Sequence, residues 1–597
     1  MVIVAAGVAA YANSFSGQLV FDDRESITAN PKVHHLWPID DVLFGQARQT
    51  LAGRPVVALT VAVNYALGEL EVGGYHAFNL LVHLVCALLI SAIVRRALLS
   101  AGWGAGGAAV LACVSAVLWA VHPLGTSAVT YVIQRAESLM AMFYLLTLYC
   151  AIRSFGSPRW RWWSVASVAS CVLGMGSKEA MVTAPVMVWL YDGVFVSGSL
   201  RAALRRRWGL YAALAATWGV LAALMWSGPR SDTAGWGLAQ MRPWEYGVTQ
   251  LGVVAHYLRL VFWPSPLCLD YGWPVARTVR AIVPPAVLIV TLAALTAWAL
   301  FAPRRRVIGA NIVADGSAAR RRMWGFLGAW FFVILSPTSS IVAIIDPAFE
   351  HRMYLPLAAV IVGVVVGATV AAARLARRLR HTPPNEKTFS TSRTLQAGPP
   401  GEKSPSKPLQ AGPPGEKSPS KSLLAAGLVL AAAAATAMGW QTARRNRDYH
   451  DVVGMWRDVT NKRPPNPRGH CNLGMALREA GRTEEAMTEY RASLRWNPDY
   501  TPAHYNLANA LLWAGRAEEA IPHYQAVIRV ETSANKLADA YCNLGVALAR
   551  TGQPDRAILC YQEAIKLNPA HADARKNLEA SRPASPTSRQ TGNTVSQ

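Results

Sequence analysis

Charge is scarce in this chain: 16% of its 597 residues are Asp, Glu, Lys or Arg, and acids are the rarer sign, 35 against 58. Such composition excludes a string of soluble domains over most of the length. Runs like "AAVLACVSAVLWAV" and "VPPAVLIVTLAALTAWALFA" approach bilayer length with almost no charge, so the first two-thirds read as membrane spans. Cysteine pairing is lacking too. The eight Cys form no CxxC, and Cys86, Cys113, Cys150 and Cys171 lie inside apolar runs, as buried free thiols do. No His has a second ligand at metal-like spacing, so no metal site is expected.

A net charge of +23 points to nucleic acid in a soluble protein. Here the arginines cluster at the ends of apolar runs, at Arg95 and Arg96, Arg205 to Arg207, Arg304 to Arg306, Arg320 to Arg322 and Arg374 to Arg380. That is the placement of cytoplasmic loops held against anionic lipid, so membrane lipid is the expected partner and nucleic acid is not.

Eleven spans are expected, at about 1–16, 76–94, 105–121, 137–152, 162–177, 181–196, 208–226, 281–302, 324–344, 355–373 and 423–440. A further apolar stretch, "YGVTQLGVVAHYLRLVFWP", carries His256 and Arg259. Keeping the arginine clusters on one side requires it to lie in the interface or re-enter without crossing. The first span has no Lys or Arg before it, and "AYANS" resembles a signal-peptidase site; cleaved or retained, it delivers residue 17 to the outer side. On that parity "FDD", "HPLGTSAVTYVIQRAE", "SKEA", "FEHRMY" and everything after residue 440 share the outer face.

The predicted domains are a membrane domain over 1–373, a linker over 374–422, a last span over 423–440, a repeat domain over 441–582 and a tail over 583–597. The Pro-, Ser- and Lys-rich linker repeats "LQAGPPGEKSPSK" and cannot bury enough apolar surface to fold; it reads as a disordered cytoplasmic loop, and the tail is likewise expected to be disordered. After residue 440 the pattern is periodic. Small residues recur at Gly474, Ala508 and Gly545, and aromatics at Trp456, Tyr490, Tyr524 and Tyr561. This is the tetratricopeptide signature of paired antiparallel helices, here with a leading half-unit near 447–463 and a capping helix near 571–580. Asn472, Asn506, Asn543 and Asn577 return at one position of each first helix. They either line a concave groove that grips peptide backbone or merely face water.

Within the spans, His76, Asn79 and His83 fall on one helical stripe, facing either interhelical partners or a lipid-phosphate groove. Lys178 and Glu179 follow an apolar run directly. They read as an interfacial or mutual ion pair, or as a lysine that holds an anionic donor. Arg54, Arg135, His351 and Arg352 are further outer-face cations, each a helix-end charge alone and a phosphate cradle together. His122-Pro123 ends a span, as a helix commonly does before proline. The remaining feature is an adjacent pair of acids, Asp22 and Asp23, exposed before nearly all the spans.

"GQLVFDDRESITANPKV", "GRPVVALTVAVNYALGELEVGGYHAFNLLVHLVCALL", "WAVHPLGTSAVTYVIQRAESL", "GSKEAMVTAP" and "EHRMYLPL", followed by tetratricopeptide units, together resemble the transmembrane and tetratricopeptide-repeat O-mannosyltransferases and their bacterial relatives. The resemblance covers nearly the whole chain except the linker. It implies an all-α fold: a polytopic transmembrane helix bundle of the GT-C kind, with amphipathic helices in the first outer loop, then a C-terminal α-solenoid. It also implies an inverting transferase that moves mannose or another hexose from a polyprenyl-phosphate carrier to Ser or Thr hydroxyls. Asp22, the first acid of the pair, or else Asp23, is then the catalytic base. Arg54, His76, His83, His122, Arg135, Lys178, Glu179, His351 and Arg352 surround the donor, and the asparagine ladder recruits the protein acceptor. No tightly bound cofactor and no metal are expected, since a monophosphate leaving group carries less charge than a nucleotide diphosphate. The expected location is a bacterial inner membrane, with Asp22 and the repeats on the periplasmic side. Two positions depart from the pattern. Animal members carry a His and a Glu soon after the His-Pro, where this chain has Gly125 and Ser127. The competing readings are a membrane-anchored repeat scaffold without catalysis and a transferase that acts on lipid-linked glycans.

Overall fold

The computed structural model describes residues 1–45, 50–227, 241–302, 316–340, 344, 346–380 and 421–581. Among them no extended sheet forms; the chain is helical throughout. Six helices are long and apolar enough to cross a bilayer: Val72–Ser100, Val132–Ser154, Glu179–Val196, Leu200–Trp226, Val279–Phe301 and Leu357–Ala376. The pair Ala105–Ala120 and Pro123–Val129 passes the same test only when taken together, bent by 56° where His122-Pro123 interrupts the helix. All eleven expected segments are at least partly helical, but four do not meet that length and composition. Val2–Tyr11 and Trp160–Met175 are short, at 10 and 16 residues, and Gly316–Leu335 and Lys421–Asn446 carry polar or small residues over much of their length.

Val279–Phe301 leaves Val283, Val287, Val290, Leu295 and Trp298 exposed along its flank. Water does not tolerate so continuous an apolar surface, and lipid does. Pro243–Phe262, the stretch expected not to cross, is amphipathic: Tyr246, Val253, Tyr257 and Leu260 are buried on one side, whereas Trp244 and Phe262 are exposed. The segment between Val2–Tyr11 and Val72–Ser100, expected to be the first outer loop, forms two α-helices, Ile39–Phe44 and Pro55–Gly68. Helix Leu357–Arg380 continues through 374–380, which composition alone assigns to the linker, because its arginines alternate with Leu and Ala, all good helix formers. The rest of the expected linker, 381–420, and the expected tail, 583–597, lie outside the described residues.

The segment expected as the last span meets the one expected as the first. Asn13 donates to the Ala443 carbonyl at 2.7 Å, and Asn446 donates to Ala10 and Asn13 at 3.1 and 2.9 Å. Thr442 donates to Val121 at 2.8 Å, so helix Lys421–Asn446 ends against the loop that carries His122-Pro123. The solenoid follows: Val452–Lys462, then the pairs Pro467–Glu479 with Thr483–Trp496, Thr501–Trp513 with Ala517–Val530 and Ala534–Arg550 with Pro554–Leu567, then Ala572–Ser581. Each pair turns on a glycine with φ of 75° to 79° (Gly481, Gly515, Gly552), a conformation that side chains resist.

Small residues sit where paired helices cross. A Cβ on Gly474 would lie 2.5 Å from a Tyr490 ring carbon, and one on Gly545 equally close to Tyr561. Gly474→Val is therefore expected to destabilise the repeat domain by about 1–3 kcal/mol through overpacking. Thermal unfolding of the full chain, followed by tryptophan fluorescence, checks this, and an unchanged transition would refute the packing account.

Candidate functional site

The site is built on the loop between the first helix and Arg24–Thr28. Phe21 sits there at φ 49°, a left-handed conformation that costs a non-glycine residue about 1–2 kcal/mol. Asp23 helps to hold it. Fully buried, Asp23 accepts the Val20 N–H at 3.0 Å on one oxygen and the Ile133 N–H at 2.7 Å on the other. One carboxylate thus ties its own turn to the segment that opens helix Val132–Ser154. Asp22 is placed differently. It is half-buried, its backbone N–H donates to the Tyr131 hydroxyl at 3.0 Å, and no backbone amide among the described residues occupies its carboxylate.

Burial pushes the Asp22 carboxyl up to about 6. The Tyr131 hydroxyl and the Arg468 guanidinium oppose that rise, and Glu25 and Asp346 add to it. Burial likewise pushes Asp23 up to about 7, with the two backbone N–H groups holding it down and Asp22 adding to the rise. Two adjacent acids therefore have separate duties: Asp23 fixes the turn, and Asp22 presents a carboxylate poised near neutrality.

A second cluster gathers cations. Lys178 Nζ meets Glu137 Oε2 at 2.5 Å, with both side chains nearly buried. Arg54 reaches Glu179 at 3.5 Å. His351 is buried against Phe349, and burial together with Lys178, Arg352 and Arg54 drives it well below the ordinary imidazole range, so it is neutral. The adjacent Lys178 and Glu179 do not pair with one another. Lys178 is extended, at φ −160° and ψ 148°, and successive side chains on extended backbone point apart. Each finds a partner from elsewhere in the chain.

Other expected donor residues serve the scaffold. His83 bonds the Tyr354 hydroxyl at 2.7 Å and the Ala120 carbonyl at 2.9 Å, which uses both ring nitrogens. His122 is also fully used, by Val261 O at 3.0 Å and Leu124 N at 3.2 Å. Arg135 donates to Asn64 at 2.6 Å and to the carbonyls of Thr60 and Tyr75, beneath the rings of Tyr75 and Phe78. Arg352 grips the carbonyls of Asp346 and Pro347 at 2.5 and 2.7 Å. These four are buried and committed, because a buried polar group left without partners is costly. His76 packs its ring against Gly17, next to the Asp22 loop. The approach to Gly125 is explained as well: a Cβ there would lie 3.1 Å from the Tyr11 hydroxyl, so the first helix fills the space a longer side chain would need.

The asparagine ladder is half-buried. Asn506 and Asn577 donate to Cys471 and Cys542 of the preceding repeat at 3.6 and 3.7 Å, and Asn543 donates to Tyr505 and Asn509. These three amide N–H groups stitch repeats together, whereas the buried Asn472 amide nitrogen has no hydrogen bond among the described residues. The side-chain carbonyl oxygens of the ladder have no hydrogen bond among the described residues.

Sequence reasoning missed Tyr131, Glu137, Asp270, Asp346 and Arg468. Glu137 alone had a local signal, as an acid inside an apolar run.

Residues 500–570 match the family described as Tetratricopeptide repeat, and residues 474–513 the one described as TPR repeat. About a third of the chain is similar to Protein O-mannosyl-transferase TMTC3 of Homo sapiens, 27% identical over 205 residues, which cover 33% of this chain and 21% of that protein. Drosophila melanogaster Tmtc3 is 31% identical over 225 residues, covering 33% and 24%, and Tmtc2 of the same fly is 32% identical over 197, covering 30% and 20%. A third of the chain is thus similar in sequence to tetratricopeptide-repeat protein O-mannosyltransferases. Its match spans about a fifth to a quarter of those proteins' length. Among solved structures, MamA from Desulfovibrio magneticus RS-1 is 24% identical, covering 22% of this chain and 71% of that one, with a TM-score of 0.21. YrrB, "a TPR protein with an unusual peptide-binding site", is 21% identical, covering 26% and 81%, also at 0.21.

Proposed function

We propose that the chain is a membrane glycosyltransferase that moves a hexose, mannose by analogy with its relatives, from a polyprenyl-phosphate carrier to Ser or Thr hydroxyls of proteins. Asp22 is the base. A hydroxyl is a poor nucleophile until a placed carboxylate takes its proton as the new bond forms. The attack displaces the lipid phosphate from the opposite face of the sugar and inverts the anomeric centre. Lys178 and Arg54 stabilise the charge that develops on the departing phosphate. The repeat domain brings the acceptor, and both the site and the repeats face the periplasm of a bacterial inner membrane.

The observation that carries this reading is Asp22 itself: half-buried, uncapped by backbone amides, with its carboxyl raised to about 6, beside a repeat domain on the same side of the bundle. A base must be ionised to act, so a carboxyl near 6 predicts a rate that climbs as pH rises through that value and levels off about a unit above it. Sugar transfer from a polyprenyl-phosphate hexose to a Ser/Thr peptide, measured as kcat/KM between about pH 5 and pH 8, tests this. A flat profile would remove Asp22 as the base. Absence of any mass increment on outer-face proteins of cells that carry the chain, relative to cells without it, would overturn the transferase reading altogether.

A further inference from the structure

The turn that presents Asp22 is clamped from two directions, and one clamp is the repeat domain. The Phe21 ring meets Trp456 edge-on at 5.3 Å, directly beside the left-handed residue. The Gln18 N–H donates to the Tyr449 carbonyl at 3.0 Å, and Arg24 pairs with Glu479 at the end of the first full repeat's opening helix. That helix, Pro467–Glu479, carries Arg468 at its second position. The Arg468 fork takes both oxygens of Asp270 at 2.6 Å each and reaches Asp346 at 2.5 Å. Asp270 is buried, and its loop wraps the repeat from below. Lys462 donates to Leu267 at 2.7 Å, Asn466 donates to the Asp270 carbonyl at 3.3 Å, and the Arg463 guanidinium lies 5.1 Å from the Tyr271 ring centre.

We infer that Arg468 is a positioning residue of the candidate active site: by bridging Asp270 and Asp346 it locks the first repeat onto the Asp22 turn, so that the repeat domain completes the site as well as recruiting to it. A fork held by two carboxylates has one orientation, and a lysine cannot reproduce it. Its charge also lowers the Asp22 carboxyl, which places the two groups within electrostatic reach. Deleting the repeats therefore abolishes transfer to every acceptor, however small, because deletion dismantles the support of the base. The role in catalysis rests on the transferase reading; the mechanical coupling does not.

The test uses the full chain in lipid nanodiscs, with Arg468→Gln and Arg468→Lys. Hydrogen exchange over residues 17–24 reads the coupling directly and is expected to speed up in Arg468→Gln. Transfer is then measured to a long Ser/Thr peptide and to a capped tripeptide too short to lie along the groove. Arg468→Gln is expected to lower kcat roughly tenfold or more for both, as misplacement of a reacting group does, with little change in KM for the tripeptide. The acidic limb of its pH profile moves to higher pH, because loss of a nearby cation raises the Asp22 carboxyl further. Arg468→Lys, which keeps the charge and loses the fork, recovers the position of that limb but only part of kcat. Unchanged exchange at 17–24 overturns the inference whatever the chemistry. So does normal tripeptide turnover with only the long peptide's KM raised, since that is recruitment alone. If the wild-type chain transfers no sugar, the transferase reading fails by itself and the exchange measurement still decides the coupling.

Discussion

Asp22→Asn is expected to lower sugar transfer by about 10²–10⁴-fold, the contribution of a placed general base, and to leave the thermal midpoint of the chain almost unmoved. The amide matches the carboxylate in shape, the residue is half-buried, and the turn does not depend on its side chain. Asp23→Asn is expected to behave in the opposite order. Both Asp23 oxygens accept backbone N–H groups inside the protein, so an amide NH2 must face one of those donors. Leaving a buried donor without an acceptor costs about 1–3 kcal/mol, and the turn that carries Asp22 loosens with it. The Asp23 variant should therefore melt earlier, and its activity should fall along with the loss of order. Paired melting curves and transfer assays on the two variants separate these roles. A stable, inactive Asp23→Asn beside an active Asp22→Asn would exchange them.

The acid pair was legible because two carboxylates ahead of a series of apolar runs have no structural excuse in the sequence. Which of them keeps a carboxylate free of backbone amides was not, since that depends on the amide of Val20 and on that of Ile133, more than a hundred positions away. The solenoid was legible almost to the residue, because stacking repeats impose a fixed period on small and aromatic positions. Crossings were harder. A 16-residue apolar run such as Trp160–Met175 reads the same whether it spans, tilts or packs, and hydropathy carries no packing information. Arg468 was invisible for a related reason. It is one arginine among many in a repeat domain, and its meaning lies in Asp270, 198 positions earlier. His83, His122, Arg135 and Arg352 read in the sequence either as structural polar residues or as part of a donor cradle. The structure uses them to satisfy carbonyls where loops and helices meet. A buried polar side chain signals only that a partner exists, and the partner's identity decides between scaffold and chemistry.

Lys178 is where that distinction can be measured. Its partner Glu137 lies 41 positions away and shares its burial, so Lys178→Met leaves a carboxylate uncompensated inside the protein, at a cost of about 3–5 kcal/mol. The double variant Lys178→Met, Glu137→Leu removes both charges and is expected to regain most of that stability, because apolar packing commonly replaces a buried ion pair without loss. Stability and activity should then part company. Around His351, which is neutral, stand three cations: Lys178 and Arg54, each matched by a carboxylate, and Arg352, held by backbone carbonyls. On the proposed mechanism, a departing lipid phosphate meets no unpartnered cation in this cluster among the described residues and must draw Lys178 partly away from Glu137. Glu137 in turn fixes where the ammonium waits, so the pair is a preset donor rather than a spent one. On this account the double variant folds like the wild type and still transfers sugar slowly, with the defect in kcat rather than in acceptor KM. Full activity in the restored double variant would reduce the Lys178 pair to scaffold and leave Arg54 as the remaining candidate for the phosphate.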